Sequence, residues 1–322
     1  MKSTKLIAIC FLFSVAFLGP LGAIDFQVPA ATDIAGFGTI LATQGSSNAK
    51  ELQKTKPGFV PRSDIALKTE YPEIKAPSSG TVIYSQRESP VASVFSFPLG
   101  GAVAILHPES YISLVSGLAL DTVIFNQAGR GQENSVKKGT SMGQAIGSGI
   151  YPERYFGLRL FDLKNSLWIN PLFLASWLQD RTAPVIQNVW LNNENMRGNT
   201  PIELKTTAPK GKYIECQQAT YEVSVAAIDS IIPGSRSFSA PYKIVIMLDG
   251  KTSIDTSFIA ATCKSEGLSF LGNPAPSSKA ILENGAYRVG RIPLQRGQHE
   301  IEVQVSDYAG NQSILKASLM VN

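Results

Sequence analysis

The chain has 322 residues, with 29 Lys and Arg against 25 Asp and Glu, a net charge of +4, 44% hydrophobic and 17% charged residues. That length suits two domains with a core each, and that balance excludes a disordered chain and a chain built of membrane spans. The positive charge is small and diffuse, and no basic block with interleaved aromatics offers a nucleic-acid surface, so no nucleic-acid partner is expected.

Lys2 and Lys5 precede an apolar run from Leu6 to Leu18, and the small-residue stretch GPLGA follows. This is the pattern of a secretory signal peptide over residues 1–23, with cleavage expected after Ala23. The run is short for a membrane span. The mature chain is therefore expected to be exported, periplasmic or cell-envelope associated, and not transmembrane. A retained N-terminal anchor is the alternative. Cys10 lies inside the apolar run rather than at the cleavage point, which argues against a lipid anchor. Once Cys10 leaves with the signal, Cys216 and Cys263 remain. Two cysteines in an exported chain fit one disulfide or two separate buried thiols.

Residues 24–58 read as a loose lead-in, rich in small and polar residues. From residue 59 to 178 the chain is a series of short β-segments: GTVIYS, GAVAILH, YISLVSGL, GQAIGSG, GLRLFDL and LWI. Gly, Pro, Ser and Asn punctuate them, which predicts antiparallel strands and tight turns. Val82 and Tyr84 alternate with Ile83, as in a half-buried strand. Asn170–Pro171 ends the last hairpin, and PLFLASWL reads as a short closing helix with Pro at its first turn. QDRTAPVIQNVWL marks a boundary. Residues 181–322 then alternate with period two. Tyr221, Val223, Val225 and Ala227 share one face, as do Tyr242, Ile244, Ile246 and Leu248, and Ile301, Val303 and Val305 oppose Glu300, Glu302 and Gln304. That pattern predicts a two-sheet sandwich. The stretch from Ile259 to Tyr287 is less regular and reads as containing an extended loop.

SDIAL, APSSGTVIY, GGAVAILHPESYISLVSGL, VKKGTSMGQAIGSG and GLRLFDLKNSLWINPLFL occur in one order at one spacing. In that order they resemble the lysostaphin-like, LytM-type peptidoglycan endopeptidases over roughly residues 59–178. The fold expected is therefore all-β: a LytM-type (duplicated hybrid motif) β-sheet domain at 59–178, then an immunoglobulin-like β-sandwich at 181–322. Gly80 and Gly139 fall where the family's turns are tight, and positive φ is expected at both.

The family holds a zinc ion with a His, an Asp four residues later, and the second His of a His-x-His pair, and two further histidines assist. The aspartate position falls on Asp64, which is kept. The first histidine falls on Val60, which has no lone pair. The assisting strand histidine falls on Gly117, and the His-x-His pair on Gly157 and Arg159. The glutamate that follows falls on Phe161. The chain has only two histidines, His107 and His299, so no shift of alignment supplies the set. A guanidinium at a ligand position repels a divalent cation. No zinc and no other cofactor is therefore expected, with Asp64 as a residual ligand position. An ion pair between Asp64 and Arg159 is expected in place of the metal, ahead of an oxygen site made by Asp64, Asp162 and Glu109. DYAGN, Asp307 to Asn311, reads as a turn in which Asp and Asn serve the backbone. Calcium there would need six or more oxygens. No G-x-S-x-G elbow occurs, and GRGQENSVKKG does not follow a strand-to-helix pattern, so neither a serine nucleophile nor a phosphate loop is expected.

The former groove, lined by Val60, Asp64, Gly117, Gly157, Arg159 and Phe161, is thus expected to bind rather than cleave. Phe161 shares a strand face with Arg159, so it fits either the groove or the core. The resemblance implies a non-catalytic envelope protein that regulates or scaffolds peptidoglycan maintenance, with peptidoglycan, a cell-wall hydrolase or an envelope protein as partner. An active zinc endopeptidase with atypical ligands is one alternative. A structural or adhesive envelope protein is the other.

Overall fold

The computed structural model describes residues 27–37, 63–87, 99–120, 134–175, 180–193, 200–204, 213–232, 238–264, 267–273 and 285–322. Residues 1–23, where a signal peptide is expected, with Cys10 and Ala23, most of the lead-in, and Val60 lie outside these residues.

The described chain is all-β apart from one 3₁₀ turn. Its first part holds β1 (Asp33–Ala35), β2 (Ile65–Lys68), β3 (Glu73–Lys75), β4 (Gly80–Gln86), β5 (Ala102–Leu106), β6 (Tyr111–Ser116), β7 (Leu118–Leu120), β8 (Ser135–Val136), β9 (Ser141–Ala145), β10 (Tyr155–Asp162) and β11 (Leu167–Ile169). The 3₁₀ turn Pro171–Leu174 follows, capped by the Asn170 side chain, which accepts from the Leu172 N–H. It is the first turn of the helix expected from PLFLASWL, whose last three residues, 176–178, lie outside the described residues. The second part holds β12 (Val185–Asn193), β13 (Ile202–Leu204), β14 (Ile214–Cys216), β15 (Ala219–Ile228), β16 (Lys243–Leu248), β17 (Lys251–Lys264), β18 (Gly267–Leu271), β19 (Tyr287–Leu294), β20 (Gly297–Ser306) and β21 (Gln312–Val321).

The second part is a sandwich. One sheet runs β13-β12-β15-β19 and the facing one β14-β21-β20-β16-β17. The period-two residues do what their spacing demands. Val223, Val225, Ile244, Ile246, Ile301, Val303 and Val305 are fully buried, while Glu300 faces solvent. The expected loop after Ile259 is corrected in part: β17 continues to Lys264 and turns back through β18. A break in register between Ser257 and Ala261 lets β17 hold both neighbours.

The two parts are not separate layers. The hairpin β10–β11 hands its edge to β17, with Leu167, Trp168 and Ile169 opposite Thr262, Ala261 and Ala260. The larger sheet therefore continues as β17-β11-β10-β6-β5-β4-β8, and buried residues from both parts form one apolar cluster. Phe37, beside β1, meets the Phe270 ring edge-on, and the Gly36 N–H donates to the Phe238 carbonyl.

Two local expectations change. A bulge between Val82 and Tyr84 breaks the alternation of β4, so Ile83 and Tyr84 are both exposed and only Val82 is buried. A bulge rotates the following side chains by one position, which alternation alone cannot reveal. Gly139 has the expected positive φ of 82°, but Gly80 does not have one. Gly80 is required because a Cβ there would lie 2.4 Å from the Leu106 carbonyl oxygen on β5.

Cys216 is a buried free thiol. Of the two readings that the cysteine count leaves open, a free Cys216 fits separate thiols. β21, β20 and β16 stand between β14 and β17, which carries Cys263. At strand spacing that is about 19 Å between strands, far beyond the reach of one bridge.

Candidate functional site

Three strands converge where the ligand positions were expected. β2 pairs with β10 with Ala66 opposite Gly157 and Ile65 opposite Leu158, so the same register brings Asp64 beside Arg159. β6 pairs with the other edge of β10, with Ser116 opposite Gly157. Gly117 follows at φ 84°. Asp64, Gly117, Gly157 and Arg159, up to 95 residues apart by number, thus share one place.

The centre of that place is Tyr151, which sequence reasoning missed. It comes from the loop between β9 and β10, held by the Tyr151 N–H donating to the Ser148 carbonyl (3.3 Å) and by the Ser148 hydroxyl accepting from Gly101 N–H (3.1 Å). The Tyr151 hydroxyl donates to Asp64 Oδ2 at 2.7 Å. It accepts from the Ser116 hydroxyl at 2.9 Å. Asp64 is 1% exposed, Ser116 0% and Tyr151 3%.

The glycines explain how the ring fits. A Cβ on Gly157 would lie 2.0 Å from the Tyr151 hydroxyl oxygen and 2.3 Å from its Cζ. A Cβ on Gly117 would lie 3.0 Å from Tyr151 Cδ2, on a backbone that disfavours any side chain. The space that the two glycines leave is thus filled by one phenol. Two glycines on neighbouring strands are the signal that a bulky neighbour must occupy the gap.

The ion pair expected between Asp64 and Arg159 gives way to this arrangement. No ion pair joins them among the described residues, and the Tyr151 hydroxyl donates to Asp64. Burial, then the Asp64 charge, hold the Tyr151 hydroxyl protonated well above its usual range, and the nearby Arg159 charge opposes this. Arg159 is half-buried, and its buried Nε has no hydrogen-bond partner. Phe161 resolves as neither core nor open groove: it is half-buried with its ring 4.9 Å from that of Trp168 across the hairpin.

The oxygen site of Asp64, Asp162 and Glu109 is not assembled. Asp162 lies three residues along β10 from Arg159, about 10 Å at strand rise. It closes the hairpin turn, accepting from the Asn165 N–H (3.0 Å) and Nδ2 (2.7 Å). Glu109 is exposed in the β5–β6 turn.

Neither histidine is at this site. His107 is buried, with Nδ1 2.8 Å from the Ser79 carbonyl oxygen and Nε2 2.8 Å from Ser113 Oγ. Nδ1 therefore donates and Nε2 accepts, and burial pulls the imidazole below its usual 6.5. His299 bonds Asp249 (2.7 Å) and the Gln295 carbonyl (2.9 Å) on the sandwich. Chemically, the converged site offers a capped carboxylate, a neutral phenol and a guanidinium. It contains no imidazole among its described residues and hence no base poised near neutrality.

Residues 183–322 match one protein-family model. No curated protein sequence matches the chain. Among solved structures, the chain is similar to the catalytic domain of the antimicrobial peptidase lysostaphin from Staphylococcus simulans. The identity is 14%, over 42% of this chain and 86% of that one, with a TM-score of 0.29. It is also similar to a zinc-containing peptidase from Vibrio cholerae, at 17% identity over 45% of this chain and 37% of that one, TM-score 0.30. The SpoIIQ–SpoIIIAH pore-forming complex is matched at 16% identity over 47% of this chain and 90% of that one, TM-score 0.29. None of these overlaps is close enough to place a side chain. Among the described residues no helix is long and apolar enough to cross a membrane.

Proposed function

We propose that the chain is an exported cell-envelope protein whose LytM-type fold is catalytically inactive and serves as a binding or scaffold module in peptidoglycan maintenance. The observation that carries this reading is Tyr151. Its phenol stands over Gly157 and caps Asp64, so the one kept ligand position is engaged by a proton donor. The convergence of Asp64, Gly117, Gly157 and Arg159 supports the family alignment on this chain's own geometry.

The donor set does not fit a zinc ion. Zinc takes nitrogen, sulfur or carboxylate ligands around an open fourth position. Val60, Gly117 and Gly157 have no donor side chain, and Arg159 brings a positive charge to the place of a ligand. The same Arg159 suits the carboxylates of a wall peptide or of an envelope protein. Exposed apolar side chains lie on the chain close to Tyr151 and on the segment paired with it. Ile146 and Ile150 precede Tyr151 in its own loop, and Tyr71 is 79% exposed beside Pro72, whose carbonyl accepts from Ala145. The immunoglobulin-like second unit then positions the first through the β11–β17 pairing.

The test uses the full mature chain. Metal content is measured by mass spectrometry after purification without chelator, and hydrolysis is followed by the clearing of sacculi. The proposal expects far less than one zinc per chain, no clearing, and co-sedimentation with sacculi or capture of an envelope protein that R159A weakens. Stoichiometric zinc that is lost in D64A would establish the active alternative instead. Binding that survives R159A but not substitutions on the sandwich would favour the adhesive reading. Point changes serve better than removal of residues 181–322, because that deletion strips β17 from β11.

A further inference from the structure

Asp180, Asp229 and Asp307 come from three distant parts of the chain: the segment before β12, the end of β15 and the β20–β21 turn. All three are buried, and one carboxylate oxygen from each lies within 4.8 Å of the others. Ligand oxygens around one calcium ion, at 2.3–2.6 Å from it, lie at most about 4.6–5.2 Å apart. The spread is therefore that of a single coordination shell.

Clustering alone would not make a site. The second observation is Asp229. It is 0% exposed, and neither of its carboxylate oxygens has a hydrogen-bond partner. Buried carboxylates are ordinarily bonded or paired. Among the described residues, no basic side chain forms an ion pair with any of the three aspartates. Burial, then the charges of Asp180 and Asp307, push Asp229 up to about 8. The fold thus brings a third carboxyl group into a sealed space with two others and, among the described residues, gives it no ion pair.

The other two aspartates are held in place. Asp307 Oδ1 accepts from the Ala309 and Asn311 N–H groups, and Oδ2 from Asn311 Nδ2, which is the turn role expected of DYAGN. Asp180 Oδ1 accepts from the Thr182 N–H. Asn311 Nδ2 also reaches the Asp180 carbonyl at 3.3 Å, tying the two segments together. Asp307 Oδ2 and at least one Asp180 oxygen keep a lone pair after these bonds, whereas Asp307 Oδ1 is filled by its two N–H donors.

We propose that Asp180, Asp229 and Asp307 form a calcium-binding site that fastens the segment between the two units to both sheets of the sandwich. The donors are all hard oxygens, which disfavours zinc. They are drawn from three irregular segments and sealed from solvent, which suits calcium better than magnesium, since magnesium retains several waters in strict octahedral geometry. This site is independent of the groove reading: it lies in the second unit and uses none of the groove's residues.

The experiment is calcium titration of the full chain after chelator treatment, by calorimetry and by thermal unfolding, with magnesium as the parallel probe. One calcium per chain is expected, with a melting temperature that rises by about 5–10 °C at a hundredfold excess over the dissociation constant. D229N should bind at least about a hundredfold more weakly and show no rise. Its calcium-free melting temperature should equal or exceed that of the unsubstituted chain, because the amide removes the cost of burying the unpartnered Asp229 carboxyl. D180N, which changes a residue outside every strand, should lose the calcium response in the same way. It serves as the second variant if D229N fails to fold. Absence of both heat and thermal shift in the unsubstituted chain overturns the proposal. So does wild-type calcium affinity in both variants. An equal response to magnesium overturns the assignment to calcium.

Discussion

The packing of Tyr151 against Gly157 makes a quantitative prediction. In G157A the new methyl carbon would sit 2.0 Å from the Tyr151 hydroxyl oxygen, 2.3 Å from Cζ and 2.6 Å from Ser116 Oγ. Real Cβ contacts stay above about 3.0 Å, so the ring must move by roughly 1 Å in a close-packed interior. Overpacking of this size costs about 1–3 kcal/mol. The movement also breaks the 2.7 Å bond from Tyr151 to the buried Asp64, which costs about 1.5–3 kcal/mol more. G157A is therefore expected to lose about 2.5–6 kcal/mol in urea unfolding. Y151A, measured alone, should lose about 3–5 kcal/mol. In the Y151A background G157A should cost no more than about 1 kcal/mol, because only the contact with Ser116 Oγ remains. The double-mutant cycle isolates this coupling. If G157A costs the same in both backgrounds, or nothing in either, Tyr151 does not fill the space over Gly157 and the argument for a filled groove collapses.

Three further outcomes are expected. The His107 imidazole is held below the 6.5 of an unfolded chain. Between its folded value and 6.5 the unfolded state binds more protons than the folded state, so stability falls as pH drops through that window. H107N should flatten this part of a stability-versus-pH curve, and an unchanged slope would refute the neutral buried imidazole. Cys216 is buried and its thiol is pushed up by burial. Alkylation without reductant should therefore label it fully in denaturant and at least tenfold more slowly in the native chain, since thiolate and access both limit the rate. A Cys216 that stays unlabelled in denaturant would show it to be bonded after all. N170A removes the cap of the 3₁₀ turn and the bond from Asn170 Nδ2 to the Tyr308 hydroxyl. It should cost about 2–3 kcal/mol in unfolding, and a neutral result would mean that the junction is held elsewhere.

The sandwich strands could be read from sequence because a half-buried strand imposes period two, and Ile301, Val303 and Val305 keep it without interruption. β4 could be placed but not faced, since its bulge leaves Val82-Ile83-Tyr84 looking regular. The convergence of Asp64, Gly117, Gly157 and Arg159 was legible only through a resemblance, because register between distant strands leaves no mark in local pattern. Tyr151 left still less. It lies in a glycine-bearing turn without periodicity, and its role depends on volume that two other positions give up. The β11–β17 pairing was hidden for a different reason: β11 is a three-residue strand whose partner lies over 90 residues away. The three aspartates were invisible as a group, although Asp307 was legible as a turn residue, because burial and charge crowding arise only when the sheets close.

The continuity of the sheet bears on how the two proposed sites relate. From Arg159 the path runs through Phe161 stacked on Trp168, then Asn170, whose amide donates to the Tyr308 hydroxyl, one residue from Asp307. Every link in it is a paired strand, a packed ring or a hydrogen bond within a buried junction. Such a path transmits stability, since ordering either end restrains the other. Transmission of a signal would require an element with two packings of similar energy, and contiguity alone does not supply one. Trp168 is fixed by Phe161 on one side and by its place opposite Ala261 on the other. Calcium at the junction is therefore expected to raise the unfolding temperature of both units together while leaving sacculus binding through Arg159 unchanged at temperatures where the chain is folded. A calcium-dependent change in that binding, with the fold intact, would mean that the hairpin β10–β11 has a second arrangement.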